Sequence, residues 1–180
     1  YATDLATGQS RDFALRSCVL AMRLAGKMSL DDKGRREVYH QSILRYIGCN
    51  ADTHLLASAF GDEIALRRDL ALADLGSQSE LGAIFIKAFT RAFEGMPPDE
   101  LRRAVEEGLA SAIQVSVPIL SGHCEVAQRI GQRIGLDEDM LRNLGQLYER
   151  WDGHGLPRGL SGTEVRLPVR IVTLAQDVIA

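Results

Sequence analysis

The sequence has little of what marks secreted, membrane-spanning or nucleic-acid-binding proteins. Its three cysteines are an odd number without Cys-x-x-Cys spacing, so no disulfide framework is expected and a cytoplasmic location fits best. No run of about 18 apolar residues exists to span a bilayer, and the start lacks the basic and apolar regions of a signal peptide. The net charge of −3 gives no electrostatic attraction to nucleic acid or to an anionic membrane. Nucleotide-binding glycine loops and the Gly-x-Ser-x-Gly elbow are also absent.

What the sequence does have is helical periodicity along almost its whole length. Apolar residues recur every three or four positions, beginning with a predicted amphipathic helix over 10–27. Ser29 is predicted to cap the second helix and Ser121 the seventh, with the sixth ending near Pro118. The apolar content of 46% is ordinary for one globular domain. We expect a single all-α domain over residues 1–180, a bundle of about eight or nine helices. Because the first residue is Tyr1 rather than Met, we expect a fragment of a longer protein.

The glycine-rich stretch 149–162, with the sequence ERWDGHGLPRGLSG, is the most specific motif. It resembles the loop of the HD-GYP branch of the HD superfamily of metal-dependent phosphohydrolases, in which the tripeptide is Gly-Tyr-Pro. Here the tripeptide is Gly155-Leu156-Pro157. We expect Trp151 to anchor this loop and Gly153 to adopt a positive φ in a turn. The resemblance implies an HD-like helical bundle.

The resemblance extends to the positions of the metal ligands. The family's His-Asp pair lies in a string such as Leu-His-Asp-Ile-Gly-Lys, which here reads LRYIGC over 44–49. Arg45 thus takes the place of the histidine and Tyr46 that of the aspartate. The candidate site residues that the resemblance implies are Phe13, Arg45, Tyr46, His123, Leu147, Tyr148 and Asp177. Of these, His123 and Asp177 keep the residue type that the family uses as a ligand.

Replacing imidazoles and carboxylates with other side chains should remove the family's chemistry. In HD enzymes, divalent metals lower the pKa of a bound water so that it can attack a phosphoryl group. Neither Phe13 nor Arg45 can ligate a cation, so no metal cofactor and no catalysis are expected. A buried Arg45 would need a carboxylate, for which Asp177 is the candidate; the alternative is that Arg45 faces solvent. The aromatic and aliphatic replacements should leave an apolar pocket suited to a small organic ligand.

Two functions stay open. The first is a degenerate HD-GYP-like regulatory or sensory domain of a bacterial protein, which binds a small ligand or a protein partner, including a second copy of itself. The second is an active metal-dependent phosphohydrolase acting on cyclic dinucleotides. That enzyme would need Mn, Fe or Zn on a non-standard ligand set: His123, Asp177, His54 and Asp52. Neither function calls for contact with nucleic acid or with a membrane.

Overall fold

Every regular element in the described part of the chain is helical. The computed structural model describes residues 2–49, 51–74 and 77–180, with side chains at all of these positions except 2, 3, 112 and 113. The α-helices are α1 (Ala2–Ala6), α2 (Phe13–Lys27), α3 (Asp32–Leu44), α4 (Thr53–Phe60), α5 (Glu63–Ala71), α6 (Gln78–Ala92), α7 (Pro98–Arg133), α8 (Glu138–Leu144) and α9 (Leu167–Ile179). One short 3-10 helix, Gly162–Glu164, precedes α9. The predicted all-α architecture is confirmed. Among these residues, no helix is both long and apolar enough to cross a membrane.

Two buried apolar clusters form the core of the described residues. In the first, α2, α3 and α9 pack through small and β-branched side chains: Ala21, Ala25, Val38, Ile171, Val172 and Ala175. In the second, the end of α3 packs with α7, α8 and the turn after α8 through Leu44, Cys124, Ala127, Met140, Leu144 and Leu147. Complete burial of a leucine such as Leu147 stabilises the fold by about 1.5–3 kcal/mol. The second cluster positions the candidate site, because it joins the segments that carry it.

Side-chain caps explain where several of the helices begin. Asp62 and Asp137 accept hydrogen bonds from the main chain three residues later, at 2.9 Å each, and so cap α5 and α8. The prediction that Ser29 caps the second helix is wrong. Asp31 caps α3 instead by accepting from Gly34 N at 2.8 Å, and Ser29 adopts a positive φ of 55° in the preceding turn.

The helix α7 runs unbroken through Pro118, which corrects the predicted end near this proline. Its 36 residues include the position at which Ser121 was expected to cap a new helix. A proline in a helix interior removes one hydrogen bond and costs about 3 kcal/mol. That cost does not stop the helix, because its C-terminal half is held by Cys124 and Ala127 in the second core cluster. Tertiary packing therefore overrides the local signal.

A peripheral layer consists of α4, α5, α6 and the N-terminal half of α7. Three phenylalanines hold it together: the Phe60 ring centroid lies 5.9 Å from that of Phe85 and 4.9 Å from that of Phe89. Phe89 also packs directly over the backbone of Gly108 in α7. Leu66 in α5 and Ala88 in α6 are the buried side chains of α4–α6 among the described residues. This layer covers one side of the candidate site and contributes Arg67 to it.

Candidate functional site

The turn that follows α3 lies directly against α7, and a glycine makes this approach possible. A Cβ atom added to Gly48 would lie 2.4 Å from the carbonyl oxygen of His123 and 2.8 Å from its Cα. These distances are far shorter than any nonbonded contact, so only glycine fits at this position. The close approach brings the segment 44–49, where the resemblance places the His-Asp pair, next to His123.

His123 is the centre of a buried hydrogen-bond chain. Its Nε2 lies 2.9 Å from Asp52 Oδ1, and its Nδ1 lies 3.0 Å from the Tyr148 hydroxyl. The same hydroxyl lies 3.2 Å from Cys49 Sγ. A neutral imidazole satisfies all three contacts: Cys49 donates to the Tyr148 oxygen, Tyr148 donates to Nδ1, and Nε2–H donates to Asp52. Asp52 thus binds His123 rather than capping α4.

Arg67 connects α5 to the hydrogen-bond chain around His123. Its Nη2 donates to the Cys49 carbonyl oxygen at 2.7 Å and to Asp52 Oδ1 at 3.1 Å. The Arg67 and Asp52 side chains are both about nine-tenths buried, at 10% and 8% exposure. Asp52 Oδ2 is buried without a hydrogen-bond partner. Because one carboxylate oxygen serves both Arg67 and His123, loss of Asp52 would leave two buried donors unpaired.

These surroundings change the protonation of the two ring side chains. Burial by itself lowers the pKa of His123, but its interactions with Cys49 and Asp52 outweigh burial and raise the pKa above its ordinary value. Burial raises the pKa of the Tyr148 phenol well above its usual range. Tyr148 therefore stays protonated at neutral pH and remains a hydrogen-bond donor.

Arg45 brings a positive charge into the centre of the bundle. The side chain is buried, so the expectation that it faces solvent is wrong. Its guanidinium carbon lies 5.6 Å from the ring centroid of Tyr148 and 6.0 Å from that of Tyr46, which are cation–π distances. Its Nη1 donates to Thr173 Oγ1 at 3.4 Å, and its Nε is buried without a partner.

The expected ion pair between Arg45 and Asp177 is not formed. Within the described residues, no carboxylate oxygen approaches the Arg45 guanidinium to 4 Å. Asp177 is exposed on α9. Partial burial raises the pKa of its carboxyl group, and the positive charges of Arg45 and Arg150 oppose that rise. Thr173 and the aromatic faces of Tyr46 and Tyr148 thus lie next to the Arg45 guanidinium, where a carboxylate was expected.

The structure brings together five of the seven residues that the resemblance implied. Contacts link them in one series: the rings of Phe13 and Tyr46 lie 6.2 Å apart, Arg45 lies between Tyr46 and Tyr148, and Tyr148 binds His123. The other two lie apart from this series. Leu147 is completely buried in the second core cluster, and Asp177 is exposed on α9.

The side chains of this centre do not fit a divalent metal. Nowhere in ranges 2–49, 51–74 and 77–180 do three or more His, Cys, Asp or Glu side chains form a group that could hold an ion. The non-standard ligand set is therefore not assembled: His123 and Asp52 bind each other, while His54 is exposed on α4. Arg45 adds a fixed positive charge where the resemblance places a metal ligand.

The glycine-rich loop is held by a buried glutamate. Glu149 is 1% exposed, and its carboxylate accepts hydrogen bonds from Arg158 N at 3.0 Å and Leu160 N at 2.8 Å. The positive φ predicted for Gly153 is confirmed at 79°. The prediction that Trp151 anchors the loop is wrong, because its ring is exposed and lies against the Arg170 guanidinium at 5.0 Å.

Sequence reasoning missed the residues that complete the site. Glu149 is the first residue of the glycine-rich stretch 149–162 but was assigned no role, and Arg67 lies in a region without any motif. Cys49 was expected to be a small buried core residue; it is buried, but it also takes part in the hydrogen-bond chain. A glutamate next to a glycine-rich loop, with many free main-chain N–H groups near it, was the one signal that could have been used.

Comparison with known proteins gives one similarity. The chain is 30% identical over 120 residues to the 3'3'-cGAMP-specific phosphodiesterase 3 of Vibrio cholerae, and the match covers 67% of this chain. It covers 22% of that protein, so the chain spans about a fifth of its length. No family model matches the chain, and no solved structure matches it. The chain is thus similar to part of a cyclic dinucleotide phosphodiesterase, which agrees with the HD-GYP resemblance of segments 44–49 and 149–162.

Proposed function

We propose that this chain is an HD-GYP-type domain that has exchanged its metal centre for a buried cation and a hydrogen-bond chain, and that it regulates rather than catalyses. It would act within a longer bacterial cytoplasmic protein by binding a small ligand or a protein partner, a second copy included. The observation that carries the proposal is the position of Arg45, buried between the rings of Tyr46 and Tyr148.

Electrostatics support the loss of the metal. At an effective dielectric constant of about 20, two unit charges about 4 Å apart interact by about 4 kcal/mol. A divalent ion at that distance from the Arg45 guanidinium would thus be repelled by about 8 kcal/mol. Binding a metal would also cost contacts that two of the remaining ligands now make. His123 would have to break its hydrogen bonds to Asp52 and Tyr148.

The hydrogen-bond chain supports a regulatory function. It joins the turn after α3, α5, α7 and the turn after α8 through Cys49, Arg67, His123 and Tyr148. A ligand or partner that changed one of these side chains would shift four segments together. Fully satisfied buried networks of this kind hold a single arrangement, and partly satisfied ones permit a second. The unpartnered Asp52 Oδ2 leaves this network partly satisfied, which supports the proposal that it can rearrange.

An active phosphohydrolase is the second candidate, and the similarity to a phosphodiesterase favours it. It would need Mn, Fe or Zn on ligands drawn from His123, Asp177, His54 and Asp52. His54 and Asp177 would both have to turn inward from exposed positions. Nothing in the arrangement of Asp52 and His123 requires such a change, because each already has a partner.

Hydrolysis assays separate the two candidates. The chain should be incubated with 3'3'-cGAMP and cyclic di-GMP in the presence of Mn²⁺, Fe²⁺ or Zn²⁺, with the Vibrio enzyme as the positive control. We expect no cleavage above the rate without protein. Metal-dependent turnover that disappears in His123→Asn would establish the enzyme instead.

A second experiment tests the same proposal by restoring the family's residue types at two positions and asking whether activity appears. The double variant Arg45→His, Tyr46→Asp restores the residue types of the family at two positions. It should still fail to cleave cyclic dinucleotides, because Phe13, Leu147 and Tyr148 lie where other ligands are required. Cleavage by the double variant would mean that the remaining ligands are present and that the loss is limited to these two positions.

A further inference from the structure

A second feature of the molecule lies outside the bundle centre. A cleft of about 420 Å³ opens between the C-terminal half of α7, the end of α8 and the glycine-rich loop. Sites for small molecules begin at about 300 Å³, so the cleft is large enough for one. Three arginines from separate segments line it: Arg142 from α8, Arg158 from the loop, and Arg166 from the start of α9.

Two of these arginines converge on one carboxylate oxygen. Arg142 Nη2 and Arg166 Nη2 donate to Asp139 Oδ1 at 2.8 Å and 2.9 Å. Lys33 binds the other oxygen of the same carboxylate. Three cations therefore share Asp139. Glu138, 3.3 Å from Arg142, offsets little of this charge because its side chain is 88% exposed.

Arg158 adds a third guanidinium from the glycine-rich loop. Its Nη2 donates to the Gly145 carbonyl oxygen at 3.1 Å, and its Nε lies 3.6 Å from Glu149 Oε1. The Arg142 and Arg158 side chains remain half exposed, at 56% and 52%. Each guanidinium carries five N–H donors, of which these contacts use a minority.

The acidic residues that also line the cleft are occupied elsewhere. Glu125 pairs with Arg129 at 3.6 Å, one helical turn along α7. The Glu164 carboxylate accepts hydrogen bonds from Ser161 N at 3.1 Å and Ser161 Oγ at 3.2 Å, and so caps the 3-10 helix. Most of the side-chain hydrogen-bond donors among the lining residues belong to the three arginines.

We propose that this cleft binds the phosphate group of a small phosphate monoester. A phosphate dianion has three terminal oxygens, which suits several guanidinium forks at once, and arginine is the side chain best shaped for such recognition. The remaining volume would hold the organic part of the ligand against Cys124 and Pro157. This site is independent of whether the bundle centre holds a metal.

Titration calorimetry on the whole chain tests the proposal, with inorganic phosphate and glucose 6-phosphate as probes and glucose as the neutral control. We expect both phosphates to bind and glucose not to bind. Arg142→Gln should weaken binding at least about tenfold, the effect of losing about 1.4 kcal/mol. Arg102→Gln is the matched control, since Arg102 also lies on a helix surface with acidic neighbours at three and four residues, and it should leave binding unchanged.

A conservative variant keeps the test decisive if Arg142→Gln lowers stability. Arg142→Lys retains the charge but not the planar fork, and it should weaken phosphate binding less than Arg142→Gln does. The proposal is overturned if neither phosphate binds. It is also overturned if Arg102→Gln weakens binding as much as Arg142→Gln, because the binding would then follow overall charge rather than this cleft.

Discussion

Replacing Gly48 with alanine should destabilise the protein strongly, whereas replacing Gly122 with alanine should stabilise it slightly. The Cβ atom that Gly48→Ala adds would lie 2.4 Å from the His123 carbonyl oxygen, where an ordinary carbon–oxygen contact needs about 3.3 Å or more. The obstacle is the backbone of α7, which cannot rotate away as a side chain can. The turn would have to move by about 1 Å.

The size of the effect follows from the contacts that this movement strains. Overpacking alone costs about 1–3 kcal/mol. The charged hydrogen bond from Arg67 to the Cys49 carbonyl oxygen would add about 1.5–3 kcal/mol if lost. We expect a total of about 3–5 kcal/mol, a large part of the stability of an ordinary domain. Gly122 lies in the same helix as His123, and a Cβ atom there would meet nothing within 4 Å. Gly122→Ala should therefore raise the free energy of unfolding by about 0.8–1 kcal/mol.

Urea unfolding followed by circular dichroism on the two variants and the unaltered chain measures this difference. Neither glycine has a positive φ, so backbone strain cannot account for it. If the Gly48 and Gly122 variants unfold at the same urea concentration, the turn after α3 does not lie against His123. The geometry of the candidate site would then be wrong.

Three further predictions concern the loop, His123 and α7. Glu149→Gln should lower the free energy of unfolding by about 1.5–3 kcal/mol and expose the loop to limited proteolysis, because its NH2 group would replace one of the two oxygens that accept from Arg158 N and Leu160 N; unchanged proteolysis would contradict this. The raised pKa of His123 means that the folded state binds more protons, so the free energy of unfolding should fall as pH rises from about 6.5 through the folded pKa. His123→Asn should remove that slope, and an equal slope in the variant would assign it to another group. Pro118→Ala should stabilise the chain by about 1–3 kcal/mol, since it restores a hydrogen bond within a continuous helix; a neutral result would indicate a break there.

Sequence periodicity predicted the fold well because helices depend on local spacing. The predicted helix over 10–27, observed as α2, and the positive φ at Gly153 both follow from residues within one or two turns of one another. The errors arose where contacts between residues distant in sequence decide where a helix ends or whether a side chain is buried. The helix α7 passes through Pro118 because its far end is held in the core, and Trp151 is exposed because Glu149 already holds the loop.

The sequence predicted which residues lie together in the candidate site, but it did not predict which partners they bind. The resemblance identified Arg45, Tyr46, His123 and Tyr148, which do lie together. It could not identify the partner of His123, since Asp52 is 71 residues away in sequence and looked like a helix cap. The expected partner of Arg45 was also wrong. Two aromatic rings surround its guanidinium, and no spacing rule distinguishes a ring from a carboxylate as the partner of a buried cation.

Metal analysis tests the central claim most directly. The whole chain, purified without chelators and dialysed against Mn²⁺, Fe²⁺ or Zn²⁺ and then against metal-free buffer, should retain far less than one metal ion per molecule. The reason is that Arg45 occupies the centre with its own charge and that His123 and Asp52 bind each other. A stoichiometric metal that is lost in both His123→Asn and Asp52→Asn would contradict the account.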